Sequence, residues 1–180
     1  MRKLFILFGF ALLASSVAQA QETRGVEVSG QYQYIRIYPG AGAPSSSCQG
    51  AGGTFAVNMN SWLGLVGDVG GCRVTGLASG SSAHEINYLF GPRLSYRTHG
   101  RLTPYGQVLF GGERATASAT GFPSTSANSF AMTFGGGADV ELTRHLSFRA
   151  IQFEYLYTHF SGAKQNNLRI QSGLVYHFGK

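Results

Sequence analysis

Eight stretches of this chain alternate apolar and polar residues with a period of two. After the N-terminal region, no apolar run approaches the roughly 20 residues that a membrane-crossing helix needs. Period-2 alternation puts one chemistry on each face of a strand. The first segment, Gly25 to Ile37, sets Val26, Val28, Tyr32 and Tyr34 against Glu27, Ser29, Gln31 and Gln33. A weaker one runs from Gly53 to Met59 with Phe55, Val57 and Met59 together, and a third carries Leu63, Leu65 and Val69 opposite Asp68. In the fourth, Ile86, Tyr88, Phe90, Leu94 and Tyr96 oppose Glu85, Asn87, Arg93 and Ser95. The fifth, Leu102 to Gly112, places Val108 and Phe110 opposite Tyr105 and Gln107. In the sixth, Phe130, Met132, Phe134, Ala138, Val140 and Leu142 alternate with Thr133, Asp139 and Glu141. Its Gly135-Gly136-Gly137 run weakens an ordinary strand but suits tight curvature or close packing in a small barrel.

The seventh segment, Leu146 to Phe160, breaks parity: Arg149 falls on the face opposite Gln152 and Glu154. That predicts a bulge near Ala150 or Ile151, or an Arg149 that snorkels to the rim. The eighth is the closing strand, where Leu168, Ile170, Leu174, Tyr176 and Phe178 oppose Arg169, Gln171 and His177.

The acids indicate which face points inward. Carboxylates sit on or at the edge of most strands, always on the polar face. A soluble protein spreads them over turns and helices as well. Glu27, Asp68, Glu85, Asp139, Glu141 and Glu154, with Arg93 and Arg169 on the same face, suit a lumen in which opposite charges pair. A membrane barrel is the only architecture besides a helix that pairs every backbone group in lipid. The reading is therefore all-β, an eight-stranded antiparallel up-and-down transmembrane barrel, apolar outside and polar within. The competing arrangement, a soluble barrel with its apolar faces inward around a ligand, predicts recovery without detergent.

Composition and the N-terminus agree. Arg2 and Lys3 precede the apolar run Leu4 to Leu13, and Ala18-Gln19-Ala20 supplies small residues for cleavage. This predicts a signal peptide over residues 1–20 and a barrel domain over 21–180, exported to the Gram-negative outer membrane. Charged residues are only 12% of the chain, about half the usual share for a soluble domain, while glycine numbers 26. The formal charge of +6 comes from scattered arginines, with no Lys/Arg run to form a nucleic-acid stripe. Attraction to anionic lipid head groups or lipopolysaccharide is the better use of such charge.

Connections alternate in length. Asn60-Ser61, Thr98-His99-Gly100 and Thr143-Arg144-His145 read as tight turns. Pro39 to Gly52, Gly70 to Ala83, Glu113 to Ser129 and Ser161 to Asn166 read as four longer loops, which outer-membrane barrels place outside the cell. Trp62 and many tyrosines fall near strand ends, as an interfacial girdle requires. Cys48 and Cys72 are the only cysteines, and both fall in the predicted loops. An even pair in an exported chain reads as a disulfide tying two loops together; free thiols are the alternative. The histidines are dispersed, and no metal site is expected.

Strand count, loop alternation, Tyr88-Leu89-Phe90-Gly91-Pro92-Arg93, Thr103-Pro104-Tyr105-Gly106 and the closing strand together resemble the small outer-membrane β-barrel proteins of the OmpA-transmembrane-like and porin-like kind. Gln171, Gly173, Tyr176 and Phe178 are similar to the C-terminal signal read by the outer-membrane assembly machinery, although Gly179 and Lys180 follow the last aromatic. The resemblance implies outer-membrane lipid, lipopolysaccharide, the assembly machinery and periplasmic chaperones as partners. It implies a monomer without cofactor or nucleic acid, and an envelope-integrity or surface role through four loops. Eight strands leave an interior that side chains just fill, so an open pore is not expected.

One element suggests an enzyme instead. His159-Phe160-Ser161 resembles the His-x-Ser element of the lipid A 3-O-deacylases, which implies Ser161 as nucleophile and His159 as its base. Gly162 follows where those enzymes tend to carry Asn, and no acid stands on the eighth strand, Gly173 lying where one is expected. Glu154 is five residues from His159, roughly 16 Å along a strand.

Overall fold

The structure, a computed structural model, describes residues 25–38, 45–75, 81–97, 100–160 and 163–179. The predicted signal peptide lies outside them. Eight strands follow one another: β1 (Val26–Ile37), β2 (Ser46–Asn58), β3 (Leu63–Thr75), β4 (Ser81–Ser95), β5 (Leu102–Ala119), β6 (Thr125–Glu141), β7 (Leu146–Phe160) and β8 (Ala163–Phe178). Each pairs antiparallel with the next, and β8 returns to β1 to close the barrel. The seam runs from Val26 beside Phe178 to Arg36 beside Leu168. Closure removes the free edges that an open sheet presents.

The faces are inverted relative to a soluble protein. Val69 and Phe90, each 59% exposed, point outward with Phe55, Ile86, Leu94, Phe134, Leu174 and Phe178. Glu27, Gln33, Asp68, Arg93, Glu154, Arg169 and Gln171 are buried inside. Trp62 and Tyr96 stand exposed at the end that also holds both ends of the strand sequence. That end, with its tight turns, is by the general rule for such barrels the periplasmic one.

The parity break in β7 is a bulge. Registers shift between Arg149 and Gln152 against β8, and between Ala138 and Asp139 against β6. Ala150 and Ile151 both face outward, so Arg149 and Gln152 both turn in. The bulge, not snorkelling, resolves the conflict in the sequence.

Glycines let strands approach where a Cβ has no room. A Cβ on Gly135 would meet the Phe153 carbonyl and, at 2.7 Å, Glu154 Cα; one on Gly137 would meet the Tyr105 hydroxyl at 2.8 Å. The three-glycine run thus serves close packing.

The loop boundaries require correction. β2 begins at Ser46, β3 runs to Thr75, β4 begins at Ser81, β5 reaches Ala119 and β6 starts at Thr125. Much of the four predicted loops is therefore strand, extending beyond the roughly 9–11 residues that span a bilayer. Their Ser, Ala and Gly content lacks an alternating pattern, and pairing with a neighbouring strand supplies what local propensity does not.

The cysteines are corrected with them. Cys48 and Cys72 lie within β2 and β3, with Gly50 opposite Cys72 and Cys48 opposite Val74. They form a disulfide across the barrel wall with Cα atoms 5.5 Å apart. The bond faces inward among Ile35, Ile37, Ala56, Val66, Leu89, Leu109, Ala131 and Leu156, a buried apolar cluster. It joins two strands and not two loops. With a sequence separation of 24, the loop-entropy relation gives about 3.5 kcal/mol of stabilisation. We expect Cys48→Ser/Cys72→Ser to fold, but to melt at lower temperature in detergent. An unchanged melting temperature would show that the paired strands hold the region unaided.

Candidate functional site

The lumen holds a charge network assembled from most strands. At its centre Arg169, fully buried, donates from Nη1 to Asp68 Oδ1 (2.8 Å) and to Asn87 Oδ1 (3.3 Å). Its Nε donates to Glu154 Oε2 at 2.7 Å. Glu154 also accepts from Gln107 Nε2 (2.7 Å), and Gln107 Oε1 accepts from Arg93 Nε (2.8 Å). Four strands are thereby linked through one carboxylate and one amide.

Toward the periplasmic end, Arg149 grips Asp139 with two bonds, Nε to Oδ1 at 2.8 Å and Nη2 to Oδ2 at 3.0 Å. This is the fork geometry that makes arginine–carboxylate pairs strong and directional. Tyr105 lies between two guanidinium groups, with Arg93 4.5 Å and Arg149 4.9 Å from its ring centre. Cations over a desolvated ring face are attracted to its quadrupole. Glu27 gathers Asn58 Nδ2 (2.8 Å), Arg97 Nη2 (2.9 Å), His177 Nδ1 (3.5 Å) and Arg93 Nη1 (3.6 Å) near the rim.

Six of the eight residues assigned to the network from sequence sit in it: Glu27, Asp68, Arg93, Asp139, Glu154 and Arg169. Glu85 faces in but stands apart, its Oε2 3.9 Å from Cys72 Sγ. Glu141 lies half-buried at the periplasmic rim. The residue that sequence reasoning left ambiguous is Arg149, the partner of Asp139. Gln31, Gln33, Gln152 and Gln171 fill the spaces between charges, with Gln152 Nε2 donating to Gln171 Oε1 at 2.7 Å.

The gap bounded by Glu27, Arg93, Tyr105, Asp139 and His177 has a volume of about 10 Å³, the scale of one water.

Of the closing-strand positions, Gln171 is buried inside while Tyr176 and Phe178 face outward, edge to face at 4.8 Å. Gly173 has a packing reason of its own: a Cβ there would meet Gln31 Cα at 2.6 Å. The enzyme reading loses its nearest acid. His159 faces outward, whereas Glu154 faces into the lumen and is held by Arg169. Ser161 lies outside the described residues.

The outer membrane protein beta-barrel domain family matches residues 5–178. The chain belongs to that family. This outer-membrane barrel also resembles solved structures at low identity. Neisserial surface protein A matches with a TM-score of 0.70 and 12% identity, over 86% of this chain and 97% of that one. Ail, the attachment invasion locus protein of Yersinia pestis, gives 0.60 and 18%, over 85% and 99%. OprG of Pseudomonas aeruginosa gives 0.53 and 16%, over 90% and 100%. No curated protein sequence matches the chain. At these identities the solved structures speak for the fold alone.

Proposed function

We propose that this outer-membrane barrel works as a sealed element of the envelope, acting through its outer surface and outward end and not through its lumen. The observation that carries the reading is the packed interior, where a cross-linked set of Arg, Asp, Glu and Gln side chains leaves room for about one water beside Glu27 and Arg93. A solute would have to break several buried ion pairs to pass, at a cost of several kcal/mol for each partner stranded. The role is structural, with surface contact made by the strand extensions beyond the bilayer.

The test is made on purified protein in liposomes. We expect unboiled samples to run at a different apparent mass from boiled ones, and the protein to pellet with outer membranes. Liposomes carrying it should retain a small entrapped sugar as well as empty ones do. Rapid sugar leakage, with the heat-modifiable band intact, would overturn the sealed reading while leaving the barrel standing.

A further inference from the structure

The outer wall carries a shallow apolar slot, open to its surroundings along its face, across β2, β3 and β4. Its floor is Ala51, Gly53 and Gly71, small residues on the outward face, where neighbouring strands carry large ones. Val69 and Ile86 rise from it on one side, each more than half exposed. On the other stands Tyr32, whose backbone is in register with Ala51 and whose hydroxyl donates to Gln49 Oε1 at 3.0 Å.

The register fixes what lies at the outer end. Ala51, Gly71 and Ile86 form one row across the three strands. The next outward-facing row is Gln49, Arg73 and His84. Arg73 stands ten residues above Leu63, where β3 leaves the periplasmic end. At about 3.3 Å per residue and a tilt near 40°, that height is roughly 25 Å, the thickness of the apolar band on such barrels. Arg73 and His84 are exposed, and every carboxylate among the described residues faces the lumen or the rim. No acid on the described part of the outer wall competes for the guanidinium. Arg36 and Arg114 continue the basic collar on β1 and β5, tied to serine hydroxyls at 3.1 Å and 3.3 Å.

From this juxtaposition we infer that the slot below Arg73 and His84 is a binding site for one phosphorylated lipid of the outer leaflet, an acyl chain lying over Gly71 and its phosphate held by Arg73. Three features of the wall select this occupant. The slot is apolar and opens to bilayer, so it receives chain and not solvent. Its upper boundary is cationic and unopposed, so a phosphate monoester is favoured over a zwitterionic head group. His84 offers a ring N–H beside the guanidinium, and Gln49 a side-chain amide. The inference rests on the sealed-barrel reading only in that the outer surface is the working face.

The experiment places folded protein in phosphatidylcholine nanodiscs doped with lipid A bearing its phosphates, or with the same lipid A stripped of them. Lipid retained per barrel is counted by native mass spectrometry. The wild type is expected to keep one phosphorylated lipid A and to keep the stripped form at least about tenfold less, a gap of roughly 1.4 kcal/mol. Gly71→Leu fills the slot without disturbing the wall, because a Cβ there meets nothing nearer than the Glu85 carbonyl at 3.8 Å. It should abolish retention of both forms while its heat-modifiable band stays normal. Arg73→Gln should erase the preference for phosphate but leave chain binding. Should Gly71→Leu fail to fold, Ala51→Leu serves the same purpose. Retention of phosphatidylcholine equal to that of lipid A, or retention unchanged in both variants, would overturn the site. So would complete displacement by a soluble polyanion with Gly71→Leu still binding, since the collar alone would then be the ligand site. Sugar leakage from liposomes is a separate readout, so failure here is distinct from failure of the sealed barrel.

Discussion

Replacing Arg169 by Met will lower the unfolding temperature of the barrel in detergent by about 10 °C or more. Arg169 is fully buried and serves Asp68, Glu154 and Asn87 together. Methionine keeps part of the volume but leaves two carboxylates inside the barrel without their cation. Breaking a buried pair from one side costs about 3–5 kcal/mol, and for a domain of this size each kcal/mol moves the midpoint by about 2–4 °C. The matched comparison is Arg73→Met on the outer wall, where the side chain is exposed and pairs with no carboxylate among the described residues. That change should move the midpoint by a degree or two. Equal shifts for the two variants would mean that the lumen is hydrated enough to screen its charges. Adding Asp68→Asn and Glu154→Gln to Arg169→Met should recover most of the loss, because the orphaned charges go with it.

Gly135→Val will prevent the folded band from forming at all. Valine is a strong strand residue, so propensity alone predicts a gain. The space predicts otherwise: a Cβ at 135 runs into the Phe153 carbonyl and Glu154 Cα, backbone that cannot yield without opening β6 from β7. We expect a cost above about 4 kcal/mol, in the range reserved for severe overpacking or strain. Gly30→Val is the control. Nothing lies within 4 Å of a Cβ there, and the position faces outward on β1. It should fold as well as the wild type. Normal folding of Gly135→Val, read as heat-modifiable mobility after refolding, would show that the sheet relaxes around the added side chain.

What the sequence disclosed follows from what period and parity can carry. Strands with large apolar residues on one face, such as β4 with Ile86, Tyr88 and Phe90, are legible because both faces announce themselves. The bulge was legible for the same reason: Arg149 and Gln152 cannot share a face unless the chain slips by one. The outer half of β2 was not, because Ser46 to Gly52 has neither a greasy nor a charged face and owes its strand to β1 and β3. The cysteines went astray with it, since their loop placement depended on that boundary. In the lumen, parity identified which charges point inward but not which meet. Arg149 with Asp139 depends on the register shift of the bulge, and Arg169 with Asp68 on the barrel's curvature. Glu85 shares the parity of the network members yet sits beside the disulfide, outside the reach of any lumen arginine's hydrogen bonds.

The partners in the lumen are far apart along the chain. Arg169 and Asp68 are separated by 101 residues, Arg149 and Gln31 by 118, and Gln171 and Gln33 by 138. None of these contacts exists in a hairpin or in a half-built sheet. Hairpins alone supply Arg149 with Asp139 and Arg169 with Glu154, but until the last strand meets the first, Asp68 lacks Arg169 and Glu27 lacks Arg93, and these ions must be kept wet. An open sheet laid into lipid would therefore carry several unneutralised ions, each costing several kcal/mol, while closure brings their partners to them. The network makes closure and membrane entry one event: the strands are poor passengers of a bilayer singly and good ones only together.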